Sequence, residues 1–489
     1  MVISKEERNV RKEGKAIIMG GSMAGLLTAR VLSDLFEDVV IVDRDEFPDE
    51  PVNRAGTPHA NHPHRLLQRG KVIFEELFPG YTDELHRNGA FAREGKTVHF
   101  TNQYGTLEMP ETEKDMGFSR ALFEWVIRQR ISALANVRFL PRHEVSGLQS
   151  SADGTSVTGV YVRERGKTGE AEALVADLVV DASGRSSKVV PWLQSLGYEV
   201  PEAERLKVSL GYSTRHYKLS AQHADRWSVI LVDAVPAKKI GTGALGTIEN
   251  QIAEVSLYCA GGEAYPTTDA DRYEEEAARL LSPVLADVLK ELEPVGNPRG
   301  YRVPECFRQH FEQMSSWPSG LFVLGDAFCN FDPIYGQGMT IAAIEAQLLG
   351  KCLQEQRCKP KRNFELDVFA QIQKAIEPAW WMSLVADLRW SGVEYSGPAS
   401  KKGIAFAQQY FDLYLGNAVG SGNGQLLEKY YDVTGMMISL REIMNPETIV
   451  QVLALDETGE AQRLSAEFFG EEGKAMEKEL ERLIPLLAM

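Results

Sequence analysis

Between Lys15 and Asp43 the chain carries the feature that narrows its fold most. The apolar run Lys15-Ala16-Ile17-Ile18-Met19 predicts a short buried strand. It passes directly into Gly20-Gly21-Ser22-Met23-Ala24-Gly25, and from Leu26 to Phe36 apolar residues recur at helical spacing. Val39-Val40-Ile41-Val42 then predicts a second strand, which ends in Asp43. Strand, glycine turn, helix and strand in immediate succession make a βαβ unit, and that unit belongs to a parallel sheet. The glycines would let the backbone approach a pyrophosphate at the helix N-terminus, and the terminal carboxylate would accept hydrogen bonds from an adenosine ribose. Ser22, in the middle glycine slot, leaves less room at the phosphates. The alternative is a purely structural turn.

Two later stretches repeat the junction. Leu178-Val179-Val180 reads as a strand, Asp181-Ala182-Ser183-Gly184-Arg185-Ser186-Ser187 as a tight polar turn, and Val189 to Leu196 as a helix. Leu321-Phe322-Val323-Leu324 is a buried strand, and residues 325–339 form a loop that opens a helix from Thr340 to Leu349. In that loop Asp326 stands at the strand end, and Gly336 and Gly338 precede the helix. Such a loop binds a cofactor hydroxyl and offers free backbone N–H groups to negative charge, or else is a turn whose glycines supply unusual backbone angles. Three junctions in order favour one extended ligand.

The intervening chain divides coarsely. Arg54-Ala55-Gly56-Thr57-Pro58-His59-Ala60-Asn61-His62-Pro63-His64 holds too much Gly, Pro and His for a regular element, so it lines a site or is a solvated loop. Residues 96–108 read as a hairpin, and Ser119-Arg120 opens an amphipathic helix reaching about Ala135. Arg120 holds an anionic or polyhydroxylated group there, or lies on the surface. A strand meander is expected from Val137-Arg138-Phe139-Leu140 through 155–162 to 178–180. Strands at 208–213, 227–232 and 254–259 predict an antiparallel sheet, followed by a helical stretch from Asp269 to Leu292. After residue 370 the pattern is mostly helical, and Trp380, Trp381, Trp390, Phe406, Tyr410, Phe411, Tyr414, Met436, Met437 and Met444 either wall an apolar pocket or pack a helical cap. Glu471 to Leu487 predicts a final docked helix.

The expected fold class is therefore α/β: a Rossmann-like domain discontinuous over 1–95, 109–206 and 318–370, with an antiparallel-sheet substrate domain from 96–108 and 207–317. A helical region over 371–489 completes it. A net charge of −16 gives no electrostatic support to nucleic-acid or anionic-membrane binding and leaves small molecules as the expected partners. With no run of 18 apolar residues and a polar start from Met1 to Lys15, neither a transmembrane helix nor a secretory signal is expected, and the cytoplasm is the simplest location. The five cysteines and the loop histidines form no metal motif.

With the three junctions in order, the chain resembles the single-component FAD-dependent monooxygenases of the aromatic hydroxylase and squalene epoxidase superfamily. Gly56-Thr57-Pro58 with His62 and His64, Asp181 to Arg185 with Trp192-Leu193, Tyr335-Gly336-Gln337-Gly338-Met339, and Ala386-Asp387-Leu388-Arg389 look most like bacterial epoxidases of polyether polyketide pathways. The resemblance implies that Gly20, Ser22, Met23, Ala24 and Gly25 face the FAD pyrophosphate, Asp43 and Arg44 the adenosine ribose, and Val145 the adenine. Arg54, Arg120 and Gly184 would lie along the cofactor, Asp326 at its ribityl or phosphate region, Pro333 beside the reactive ring edge, and Gly336, Gly338 and Met339 at the N1 and O2 side. Pro333, Gly338 and Met339 are thus the catalytic positions, and His62, His64 and Tyr335 the substrate-site candidates. Ser183 and Cys329 depart from the aromatic hydroxylases, which usually carry aspartate and histidine there.

The implied activity takes electrons from NADPH or NADH, forms a C4a-hydroperoxyflavin with O2, and epoxidises or hydroxylates an apolar alkene or aromatic small molecule of secondary metabolism. Epoxidation is favoured because the attack of an alkene on electrophilic oxygen needs no side-chain nucleophile, and no triad or paired-carboxylate motif is evident. The rivals are an isoprenoid reductase and a non-catalytic flavin scaffold. The Trp-x-Trp-x-Ile-Pro signature of flavin halogenases is missing. A homodimer is left open.

Overall fold

The computed structural model describes residues 12–111, 115–167, 169–469 and 476–488. The polar start read from Met1 therefore lies mostly outside the described residues, as does the stretch from Glu471 to 475 expected to open the final helix, which the structure describes over Met476–Leu483.

The protein is mixed α/β, with a Rossmann-like sheet, a second large sheet and a mainly helical C-terminal region. Five parallel strands form the first sheet in the order Leu321–Val323, Leu178–Asp181, Lys15–Met19, Asp38–Val42, Val137–Leu140. Their near-continuous apolar sequences match their burial: Ala16, Ile17, Ile18, Val39, Val40 and Ile41 are wholly buried. The three junctions leave the same edge of three adjacent strands, which is why stretches roughly 145 to 306 residues apart on the chain meet. The chain order reverses across Lys15–Met19, the position where open α/β sheets form a ligand crevice.

A seven-stranded sheet runs in the order Glu293–Val303, Leu210–Lys218, Ile252–Cys259, Thr242–Ile248, Trp227–Val232, Thr97–Asn102, Gly105–Pro110. The hairpin at 97–110 thus joins the later strands. The expected antiparallel pattern holds except between Trp227–Val232 and Thr97–Asn102, which are parallel. Two strands are illegible in sequence. Thr242–Ile248 is broken by Gly243 and Gly246, and Glu293–Val303 contains two prolines and two glycines, tolerable because it is an edge strand.

The expected meander is corrected by the pairing. Val137–Leu140 and Leu178–Asp181 belong to the parallel sheet, and only His143–Ser150, Val157–Glu164 and Glu172–Val175 form an antiparallel meander between them. The helical stretch at 269–292 is two short helices, Tyr273–Ala277 and Val284–Leu289, because Pro283 disfavours helical backbone at the residue before it. Helix Met23–Leu32 packs on the long helix Gly338–Cys358, which closes one face of the parallel sheet. Of the C-terminal aromatic and methionine set, Trp380, Trp381, Phe406, Tyr410, Phe411, Tyr414 and Met444 are core residues, Trp390 and Met436 pack on that core, and Met437 is exposed.

Candidate functional site

A cavity of about 500 Å³ runs along the strand edge and under the seven-stranded sheet. Its wall includes Gly20, Ser22, Met23, Ala24, Asp43, Arg44, Arg54, Val145, Gly184, Asp326, Pro333, Gly336, Gly338, Met339, His62 and His64, together with Arg120. Gly25 and Tyr335 do not line it. Gly25 is needed for packing: a Cβ there would lie 1.8 Å from the carbonyl oxygen of Gly20, so helix and turn could not approach each other. The Tyr335 hydroxyl donates to Asp387 Oδ1 at 2.7 Å. None of the C-terminal aromatic and methionine set lines the cavity either, so the part of its buried members is packing.

One end is ionic and almost fully paired. Asp43 Oδ2 accepts the Gly21 N–H at 2.7 Å and Oδ1 the Asp45 N–H at 2.8 Å. Arg54 reaches Glu124 at 2.8 Å, Asp45 at 2.9 Å and Asp43 at 3.4 Å. Arg120, only 3% exposed, pairs with Glu124 at 2.7 Å and donates to Ser22 Oγ at 2.8 Å. The serine in the middle glycine slot is thus part of the arginine's support. Burial alone would raise the Glu124 carboxyl, but the charges of Arg120 and Arg54 outweigh it and hold the group below the usual carboxylate range. Glu124 and Asp45 were missed in sequence. Glu124 sits four residues after Arg120, so an i,i+4 ion-pair scan was the available signal.

Within this saturated cluster two donors are spare. Arg120 Nη1 and Arg54 Nη2 are buried without a partner among the described residues. Buried guanidinium donors are rarely left unpaired, and on a cavity wall beside a glycine turn they fit the phosphates and ribose of a dinucleotide. Helix Gly338–Cys358 adds backbone donors: it has no acidic residue in its first turn and no side-chain cap. A Cβ at Gly338 would meet nothing within 4 Å, so that turn is open to the cavity. These residues fit a flavin dinucleotide.

The other end is mainly aromatic, with a cation, Arg65, on its wall. His62, Tyr212, Tyr258 and Tyr301 line it, with Phe331, Asp332 and Pro333 from the third junction. His62 Nδ1 is 2.7 Å from Thr214 Oγ1, and Thr214 Oγ1 is 2.7 Å from Ser256 Oγ. Burial pulls the His59 imidazole down to about 3 and that of His62 to about 4, aided by nearby positive groups, and takes His64 well below its ordinary value. All three are neutral and weakly basic near neutral pH. Asp326, between the two ends, is raised by burial, which Arg185 and Arg120 partly offset.

Asp181 and Cys329 have structural explanations. Asp181 accepts the Ser183 N–H at 2.9 Å and the Ser187 hydroxyl at 2.5 Å, closing the second turn. Cys329 pairs with Arg308 in a four-stranded sheet, and burial pushes its thiol well above the ordinary value.

A parallel sheet whose switch point opens onto spare arginine donors, joined to a chamber under a second sheet, defines a dinucleotide-binding protein with a substrate compartment. The chain matches the FAD binding domain family over residues 13–358, more than half of its length, and belongs to that family. It is similar to Protein Rv3254 of Mycobacterium tuberculosis (strain ATCC 25618 / H37Rv), 29% identical over 385 residues that cover 76% of this chain and 80% of that protein. Squalene monooxygenase of Mus musculus is 26% identical over 353 residues, covering 70% of this chain and 55% of the mouse protein. Among solved structures, the flavin-dependent brominase Bmp2 superposes with a TM-score of 0.63 over 89% of this chain and 96% of that one; at 14% identity this is a likeness of fold. No helix among the described residues is long and apolar enough to cross a membrane.

Proposed function

We propose that the protein is an FAD-dependent monooxygenase that takes electrons from NADPH or NADH and transfers one atom of O2 to an alkene or aromatic small molecule, epoxidation being favoured. Bound FAD supplies the redox chemistry, accepting hydride and passing electrons to oxygen. Gly20, Ser22, Met23 and Ala24 would hold its pyrophosphate, Asp43, Arg44 and Val145 its adenosine, and Arg54, Arg120, Gly184 and Asp326 its middle. The first-turn amides of Gly338 and Met339 would face the ring, where a helix N-terminus stabilises negative charge gained on reduction. Pro333 would border the ring's reactive edge.

The observation that carries the reading is the chamber beside Pro333. Its walls are aromatic, and its histidines are weak bases. Such a chamber offers no strong base for ionising a phenol, which suits an alkene better. The test is anaerobic reduction of the purified holoprotein by NADPH and by NADH, followed by turnover under isotopically labelled O2 with farnesol, an oxygenated polyene, and with phenol offered. One labelled oxygen atom in the product is expected. Product formed without O2 would favour an isoprenoid reductase, and a flavin that neither nicotinamide reduces would favour a binding scaffold.

A further inference from the structure

In the aromatic chamber four rings stand close together. The His62 ring lies 5.1 Å from Tyr212 and 5.7 Å from Tyr301, and Tyr212 lies 5.4 Å from Tyr258 and 5.7 Å from Tyr301. His62 is satisfied by Thr214, but the Tyr212 hydroxyl is buried with no partner among the described residues, in a side chain only 4% exposed. Asp332 is 1% exposed. Its Oδ1 accepts the Ile334 N–H at 2.8 Å, while Oδ2 is buried without a partner. Behind it stands Asp387, equally buried, whose Oδ1 takes the Tyr335 hydroxyl and whose Oδ2 is also unpartnered.

The pair in turn acts on Tyr212 and Tyr258 from the seven-stranded sheet, on Cys306 and on Tyr335, and the charged group on the same wall is Arg65, whose Nη2 donates to the Tyr335 carbonyl at 3.2 Å. Neither carboxyl forms an ion pair among the described residues. Burial therefore pushes Asp332 up to about 7, and burial with the neighbouring Asp332 carboxyl takes Asp387 well above the usual range. With Oδ1 of Asp332 already accepting a backbone N–H, the proton of the neutral acid resides on Oδ2. The chamber wall thus carries two O–H donors, on Tyr212 and Asp332, with no acceptor. Native structures seldom leave such groups unmatched unless a ligand completes them.

We propose that Tyr212 and Asp332 form a hydrogen-bond site for a neutral oxygen of the substrate, a carbonyl or a hydroxyl, so that the substrate is an oxygenated hydrocarbon rather than a wholly apolar one. The proposal rests on the reading above in taking this chamber as the substrate end, but it concerns binding and needs no turnover.

The test is calorimetric titration of the purified, flavin-loaded, oxidised protein with two shape-matched probes, 1-tetralone, which carries a carbonyl, and tetralin, which does not. The ketone should bind roughly tenfold more tightly, the equivalent of one or two hydrogen bonds. Tyr212→Phe and Asp332→Leu should each remove most of that preference while leaving tetralin binding unchanged, which also reports that the chamber is intact. Asp332→Asn, whose amide keeps a donor at the same place, should retain it. Raising the pH through about 7 should erode the preference in the wild type, as Asp332 ionises, and not in Asp332→Asn. Equal affinity for the two probes, undetectable tetralone binding, or variants that weaken both probes alike would overturn the proposal. A failed oxygen-labelling experiment would leave these affinities untouched, so the two readings fail separately.

Discussion

The two ends of the cavity solve opposite electrostatic problems with the same residue type. At the phosphate end three carboxylates, Asp43, Asp45 and Glu124, are buried and paired with Arg54 or Arg120. At the chamber end two carboxyls, Asp332 and Asp387, are equally buried with no ion-pair partner among the described residues, and burial raises both, Asp332 to about 7. For Glu124 the two arginines outweigh burial, whereas for Asp332 and Asp387 nothing does. On the proposed reading this is a division of labour, in which fixed charge would grip an anionic cofactor at one end and uncharged donors would face the substrate at the other.

The largest effect that would break this contrast is expected from Arg120→Met. It removes the spare donor and leaves Glu124 leaning on Arg54 alone, and the loss of one partner of a buried pair costs about 3 kcal/mol or more. FAD affinity, read by flavin fluorescence quenching, should fall by roughly a hundredfold. Glu124→Gln should be next. Because the Glu124 carboxyl is held below its ordinary value, its ionised form stabilises the fold above the ordinary carboxylate range, and that contribution is lost as pH falls through the folded value. The variant should therefore melt below the wild type at neutral pH, and the difference should shrink on acidification. Asp387→Asn should show the opposite sign and the smallest effect. The Asp387 carboxyl is raised, so the unfolded chain ionises first and wild-type stability declines as pH climbs above about 4. The amide should gain a few degrees in Tm near neutral pH and nothing at acid pH, measured by calorimetry. Should both variants shift in the same direction, the two ends would not differ as described.

The legible parts of the fold were those encoded locally. Each of the three junctions is a strand, a turn and a helix contiguous in sequence, and Gly20, Asp43, Asp326 and Gly338 could be named from that pattern alone. The same locality explains the errors. Val137–Leu140 and Leu178–Asp181 read as meander partners because strand identity is local but strand pairing is not. Glu293–Val303 was hidden because its prolines suit only an edge position, and edges exist only once a sheet is assembled. Tyr335 reads as a substrate-site candidate from its run with Gly336, while in the fold its hydroxyl bonds to Asp387.

The sequence by itself determined the parallel sheet, its glycine turn and the dinucleotide chemistry of the chain, since these follow from apolar periodicity and from glycines that admit no Cβ. Tertiary structure alone decided the state of the charged and polar groups. Whether Arg120 is a surface residue or a spare donor, whether Glu124 or Asp332 carries a charge, and whether Tyr212 meets an acceptor all depend on burial and on neighbours up to 200 or so residues distant along the chain. Those quantities come into being only when the two sheets close on each other, because desolvation and Coulomb energy are properties of the packed interior.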